Sequence, residues 1–384
     1  MRAKNRIFSF LSLLFLIIPV INAQTEKKPL AEIYKKGKIR FIKELVISDS
    51  SLPEGEFFGQ ISSFAVDPNG NIYVLDYKAN HIQKFNAKGE FIKTIGKKGQ
   101  GPGDFNSPLD IEIVKDKLIV WDSMNMRISA LDLDGTFIKS IPHDFMQLGW
   151  VYKIKALPNK KMILETQVSY RQGPSRPWEC YLRLFSNDLE HIKDVYKKEF
   201  WTRKNITEPK NMSIPIPFSA KVCWDVTPNG NAVIGFSESY MIEIHDPTKG
   251  KISSFKHQYI PAKVTKEDKE QFFAGMVVSS PGGGQQQGAP DYIVKNTEFP
   301  KTKPAFDDIK CDPEGNIWIH THCNDREEEM YFFDVFNEDG PFINRVKIEG
   351  HVYPYNGEMM DQYFYIVETD KEGYHTIVKY RITD

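Results

Sequence analysis

The most restrictive feature of this chain is a turn that keeps returning. Asp67-Pro68-Asn69-Gly70-Asn71 recurs as Thr227-Pro228-Asn229-Gly230-Asn231 and as Asp312-Pro313-Glu314-Gly315-Asn316, with a degenerate copy at Leu157-Pro158-Asn159-Lys160-Lys161. Proline presets φ at the first central position and glycine supplies the positive φ that closes the turn, so each copy predicts a hairpin. A short β-rich run follows each turn: Ile72 to Leu75, Met162 to Leu164, Ala232 to Ile234 and Ile317 to Ile319, matched by Leu118 to Trp121 after a shorter turn. A second turn trails at a similar offset, as Asn86-Ala87-Lys88-Gly89, Asp132-Leu133-Asp134-Gly135 and Asn337-Glu338-Asp339-Gly340. Gly89 and Gly135 are 46 residues apart, within the ~40 to 50 residues of a propeller blade.

Five such units span residues 61–95, 107–141, 150–196, 219–257 and 304–348. Residues 351–384 supply three strands of a sixth, and the apolar-rich run Lys38 to Ile47 is the expected fourth. Pairing the first strand with the last would remove an exposed sheet edge. The prediction is an all-β, six-bladed β-propeller of four-stranded antiparallel blades over residues 38–384, preceded by a short linker at 24–37. The 13% aromatic content, 25 Gly and 23 Pro among 384 residues suit many short strands joined by turns.

Blades one and two resemble NHL repeats, in Gly70-Asn71-Ile72-Tyr73-Val74-Leu75-Asp76 through Asn80-His81-Ile82 and in Trp121-Asp122 through Arg127-Ile128. The connector Gly96-Lys97-Lys98-Gly99-Gln100-Gly101-Pro102-Gly103-Asp104-Phe105 is similar to the Gly-rich linker between such repeats. Blades three and four lack the Asp after the second strand. The whole is similar to secreted six-bladed propellers of bacteria, a resemblance that implies a fold and an export route and leaves the role open.

Residues 1–23 read as a secretory signal peptide: Arg2, Lys4 and Arg6 precede an apolar run from Ile7 to Ile21, with Ala23 before the expected cut. That run falls short of the ~20 residues that span a bilayer, so no membrane span is expected after cleavage. No lipid-accepting Cys follows it, and the expected location is periplasmic or extracellular. The 50 Lys+Arg against 51 Asp+Glu give no cationic field, which argues against a nucleic-acid partner. Cys180, Cys223, Cys311 and Cys323 contain no CxxC pair, and four cysteines allow three connectivities. Buried free thiols are the plainer reading.

Two segments break the period. Residues 197–218, with Pro209, Pro215 and Pro217, read as an extended loop. Residues 258–303 begin with a capping-box pattern, Thr265 to Asp268, ahead of Phe272, Phe273, Met276 and Val277 on one helical face. Pro281 to Pro290 reads as a Gly/Gln-rich linker. This insertion is expected either to plug a gap between blades or to act as a lid.

Aligning the first strands, which lie nearest the propeller axis, puts Phe64, Ile111, Ile154, Trp224 and Ile309 at equivalent positions. Ser63, Asp110, Lys153, Cys223 and Asp308 sit one residue earlier. Ala65, Glu112, Lys155, Asp225 and Lys310 sit one residue later. Strand alternation places these flanking residues on the opposite face from the apolar set, and buried charges require water or partners. A polar axial channel is implied, lined either by mutual ion pairs or by a binding site made of Ser63, Asp110, Glu112, Lys153, Lys155, Asp225, Asp308 and Lys310. His320, His322 and Asp325 have metal-ligand chemistry, although a strand-end His pair needs no metal. Asp76 and Asp122 are expected to cap the turns that follow the second strands.

No phosphate-binding loop or Gly-x-Ser-x-Gly elbow occurs, so no catalytic residue is assigned. The expected function is a binding or scaffold module for a protein, peptide or carbohydrate, with no cofactor. The alternative is a metal-assisted lyase or hydrolase with a divalent ion, Zn or Ca, in the central channel.

Overall fold

The computed structural model describes residues 28–169, 177–208, 212–279, 285–322, 331–349 and 357–384. The expected signal peptide and Asp325 lie outside them. Five antiparallel four-stranded meanders follow along the chain. Blade one is Ile61–Val66, Ile72–Asp76, His81–Phe85 and Phe91–Ile95, and blade two is Pro108–Val114, Lys117–Asp122, Arg127–Asp132 and Phe137–Pro142. Blade three is Trp150–Leu157, Lys161–Val168, Trp178–Ser186 and His191–Phe200, and blade four is Val222–Val226, Ala232–Phe236, Met241–Asp246 and Gly250–Lys256. Blade five is Asp308–Cys311, Ile317–Thr321, Tyr331–Phe336 and Phe342–Glu349. Blade six holds Gly357–Met360, Tyr363–Thr369 and His375–Thr383; Lys38–Ile47 pairs antiparallel with His375–Thr383 and, over Lys38 to Arg40, parallel with Phe342–Glu349, so blades five and six share one eight-stranded sheet. The fold is a six-bladed β-propeller.

Apolar side chains concentrate where adjacent blades meet. Blades one and two share Tyr73, Leu75 and Ile82 with Phe105, Leu118 and Leu131. Blades two and three share Ile119 and Trp121 with Ile154 and Phe185. The next two interfaces centre on Trp224 and on Phe306 with Phe336, and Tyr365 and Ile377 face Phe64 and Phe85 where blade six meets blade one. Each large apolar side chain buried this way contributes about 1.5–3 kcal/mol, so the ring is held by packing of one blade's face on the next rather than by one central core.

The recurring turns fold as their composition dictates. Asp67 Oδ1 accepts the Asn69 and Asn71 N–H groups at 2.9 Å each, and Asp312 Oδ1 accepts those of Glu314 and Asn316 at 2.9 and 2.8 Å. Gly70 and Gly315 take φ of 81° and 87°, a region that a side chain makes costly. Asp76 caps its following loop through the Ala79 N–H at 2.9 Å, whereas Asp122 holds its own through the Asn125 side-chain amide at 2.7 Å. Asp76 accepts the Gly59 N–H at 2.6 Å, and Asp122 accepts the Asn106 N–H at 2.7 Å, which fastens each second strand to the connector entering its blade. Arg127 then grips the Gly-rich connector through the Gln100, Gly101 and Asp104 carbonyls at 2.7–3.0 Å.

Three segments are more structured than their sequence suggested. Within 24–37, the helix Leu30–Tyr34 wedges between blades five and six, where Leu30 and Tyr34 are fully buried. Tyr34 stands edge-on to Trp318 at 4.8 Å and donates its hydroxyl to Asp312 at 2.9 Å. Within 197–218, Arg203–Ile206 and Met212–Pro215 form a hairpin. In the insertion, the helix Lys266–Ala274 is closed by a reciprocal Thr265–Asp268 capping box, and the glutamines Gln285–Gln287, part of the expected linker, pair antiparallel with Val277–Ser279, while residues 280–284 lie outside the described residues. Hairpin and insertion share a small apolar cluster, Ile206, Ile214 and Ile293, and the buried ion pair Lys303–Asp268 at 2.8 Å ties the insertion's end to its helix. Replacing Tyr34 by Ala empties a filled space between two blades and orphans a bond to a buried carboxylate. We expect a loss of about 3–5 kcal/mol in urea unfolding.

Candidate functional site

The innermost strands of the six blades start on one face and end on the other. The starting side, here the connector face, carries the blade-to-blade segments and the loops between second and third strands. The opposite, turn face carries the Pro-x-Gly turns. Phe64, Ile111, Ile154, Trp224 and Ile309 are all buried between blades, and the polar residues flanking them line the axis, except Cys223, which packs between blades four and five and gives its thiol to the Asp307 carbonyl at 3.2 Å.

A recurring irregularity contributes to this arrangement. Blade one pairs Ile61 with Asp76 and then Ser63 with Leu75, blade two pairs Pro108 with Asp122 and then Asp110 with Trp121, and blade three pairs Val151 with Thr166 and then Lys153 with Glu165. Ser62, Leu109 and Tyr152 are thus extra residues at one level of the ring, and such bulges re-aim the side chains that follow.

At the connector face a cavity of about 450 Å³ is lined by Ser63, Asp110, Lys153, Asp308, Lys310 and Glu358. At the turn face a cavity of about 570 Å³ reaches Glu112, Lys155, Asp225 and Glu358. A waist of about 120 Å³ lies between them. Ser63 donates to Asp110 at 2.7 Å, and the other Asp110 oxygen accepts the Ile154 N–H at 2.7 Å, so one carboxyl joins three blades. Lys153 donates to the Trp224 carbonyl at 2.8 Å. Lys155 is hydrogen-bonded to Glu358 and lies 3.8 Å from Asp225, whose second oxygen accepts the Cys311 N–H at 2.9 Å. Asp308 and Lys310 pair along their own strand at 3.6 Å.

The expected polar residues therefore do meet around one axis, and most are engaged by each other. Glu112 is the exception: among the described residues its carboxylate accepts only the adjacent Ile113 N–H at 2.8 Å. Burial pushes its pKa up to about 7, with Lys155 opposing and Glu358 and Asp110 reinforcing. Burial likewise lifts Asp110 to about 6 against the hydrogen bonds it receives. Burial opposes the charged forms of Lys155 and Asp225 too, yet their carboxylate and lysine neighbours hold Lys155 above and Asp225 below the ordinary value.

Glu358 escaped the sequence alignment. Its strand, Gly357–Met360, turns through Asp361 at φ 58° without the Pro-x-Gly signature, so the repeat offered no anchor there. The metal candidates separate differently. His322 Nε2 and His320 Nδ1 lie 3.2 and 3.9 Å from Asp307 Oδ2, and burial depresses His320 to about 4. Among the described residues no group of three or more His, Cys, Asp or Glu is arranged to hold a metal ion. Cys180, Cys223 and Cys311 are free thiols with pKa values raised by burial, and Cys323 lies outside the described residues.

A family model described as a 6-bladed β-propeller, DUF5128, matches residues 53–221, which is blades one to three and the segment after them. Among solved structures, a DUF4221-family protein from Bacteroides vulgatus is 12% identical over 91% of this chain and 99% of its own, with a TM-score of 0.53. A putative exported protein from Bacteroides fragilis is 12% identical over 90% and 95%, with a TM-score of 0.51. At that identity the likeness is one of fold. No curated protein matches the chain in sequence.

Two outcomes follow from the axial charges. Lys155→Met leaves Asp225 and Glu358 without their shared cation, and a loss on the order of 3 kcal/mol is expected in urea unfolding. Glu112 holds its proton up to about pH 7 when folded against an ordinary value of 4.5, so the wild-type chain loses stability through this group as pH rises across that window. Glu112→Gln removes that loss. Relative to wild type, the variant should be unchanged near pH 4 and about 1–2 kcal/mol more stable at pH 8, since water in the channel softens the full effect.

Proposed function

We propose that this protein is an extracytoplasmic binding module that docks a polypeptide partner on its connector face. One observation carries the reading. Among the described residues, fifteen large apolar side chains are exposed, and seven of these lie on outermost strands. The remaining eight all fall on connector-face segments, and each is between 45% and 85% exposed. Phe57, Met124, Met146, Tyr152, Trp201 and Tyr374 come from five different blades or their connectors; Ile260 and Val294 belong to the insertion. Aromatic and Met side chains of this kind are enriched at protein interfaces, and grouped exposure marks contact surfaces. The polar mouth they surround supplies charged partners of both signs for a protruding peptide group. The NHL-type likeness of blades one and two and the signal-like residues 1–23 are consistent with an exported interaction module.

Photoreactive residues placed singly at Trp201 and Tyr374, and as a comparison at the turn-face residues Lys160 and Asp361, test the docking face. Discrete polypeptide adducts should form in the native envelope or secreted fraction from the first pair only. Adducts of glycan rather than polypeptide, or equal capture from both faces, would overturn the proposal. Mass spectrometry of the exported chain should find its first residue at Gln24, and an exported chain retaining residues 1–23 would remove the signal-peptide reading.

A further inference from the structure

The turn-face mouth is chemically unlike the connector face, and the docking proposal leaves it without a role. Pro68, Pro158, Pro228 and Pro313, one from each Pro-containing turn of the repeat, all line its cavity. The turn needs proline only for its backbone φ. Here the four rings also form an apolar collar, completed on the sixth blade by Met359 and Met360. The volume of about 570 Å³ lies within the range of small-molecule sites.

Below the collar the floor presents three carboxylates, Glu112, Asp225 and Glu358, and one ammonium, Lys155. That ammonium is already committed, hydrogen-bonded to Glu358 and 3.8 Å from Asp225. Glu112 has no cation within ion-pair distance among the described residues; it reaches only the Ile113 N–H. Asp225 is also met by Lys153 at 3.9 Å, so two ammoniums face the three carboxylates, and once Glu112 ionises the floor is short of one positive charge. Lys115 and Lys160 also line the mouth, but from exposed turns at its rim; an anionic ligand reaching the floor would approach Glu112 and Glu358 and find Lys155 engaged. A neutral apolar ligand would fill the collar and leave the Glu112 carboxylate desolvated, which is costly. A ligand carrying a compact cation on an apolar body satisfies both layers.

We propose that the turn-face mouth is a binding site for a small organic amine, its body held within the proline collar and its ammonium seated on Glu112. Such a contact is a charge-assisted hydrogen bond in a partly water-excluded site, where these bonds are strongest. The raised pKa of Glu112 agrees with a carboxylate that lacks its counter-ion. The site lies at the opposite end of the axis from the docking surface and does not depend on it.

Calorimetric titration of the whole chain at pH 8 with three matched indoles tests the proposal: tryptamine as the amine, tryptophol as the neutral alcohol and indole-3-propionate as the anion. Tryptamine should bind at least tenfold more tightly than tryptophol, with indole-3-propionate weakest. Glu112→Gln, which should fold at least as well as wild type at this pH, should abolish the tenfold preference and leave tryptophol binding as it was. In protein labelled with ¹³C-methyl methionine, tryptamine should shift the Met359 and Met360 signals and spare Met124 and Met146 on the connector face. The proposal fails if tryptamine does not bind, if alcohol or acid binds as tightly as amine, if the preference survives Glu112→Gln, or if the connector-face methionines shift instead.

Discussion

The Lys155 ammonium is the point at which the ring's geometry and its electrostatics meet. Six innermost strands converge on one axis, and each must turn some side chains toward it. In blades two to six the flanking positions carry charge, and charges brought so close together must balance or be hydrated. Lys155 from blade three touches Glu358 from blade six and approaches Asp225 from blade four. Asp110 does the same work without charge pairing, joining blades one, two and three through Ser63 and the Ile154 N–H. The polar residues at the axis thus bind the ring from inside, while the apolar interfaces bind it blade to blade.

The two faces inherit different chemistry from the same repeat. Turns between first and second strands are short and repeated, so whatever their sequence holds is presented several times around one mouth, as with the prolines. Connections between blades are long and individual, so the connector face accumulates unrelated segments: the Gly-rich connector gripped by Arg127, the hairpin Arg203–Ile206 with Met212–Pro215, and the helix Lys266–Ala274. Variation in a propeller is cheap where a loop does not have to fit a turn template. A surface assembled this way is suited to recognising one particular partner, whereas the repeated rim is suited to enclosing something small.

What could be read from the sequence depended on the repeat. Turn chemistry located the hairpins, and through them blades one to five to within a few residues, because Pro, Asn and Gly act locally. The same alignment brought Asp110, Lys155 and Asp225 to one axis, since equivalent positions in a cyclic repeat must converge. Glu358 was missed because its blade closes through Asp361 rather than a Pro-x-Gly turn. The bulges at Ser62, Leu109 and Tyr152 leave no signature in a single chain, because an extra residue shows only against its partner strand. The helix Leu30–Tyr34 was hidden for a related reason. Five residues carry no helical period, and only the space between blades five and six, filled by Leu30 and Tyr34, makes them a helix worth forming.

Blades three and six stand opposite each other across the ring, so the bond between Lys155 and Glu358 is a strut along one diameter. A closed ring deforms most easily by becoming oval, with one diameter lengthening as another shortens. The strut resists lengthening between blades three and six and offers nothing along the other two diameters. Mechanically the propeller is therefore not six-fold: it has one stiff axis, and any motion that widens either mouth must take place mainly across it.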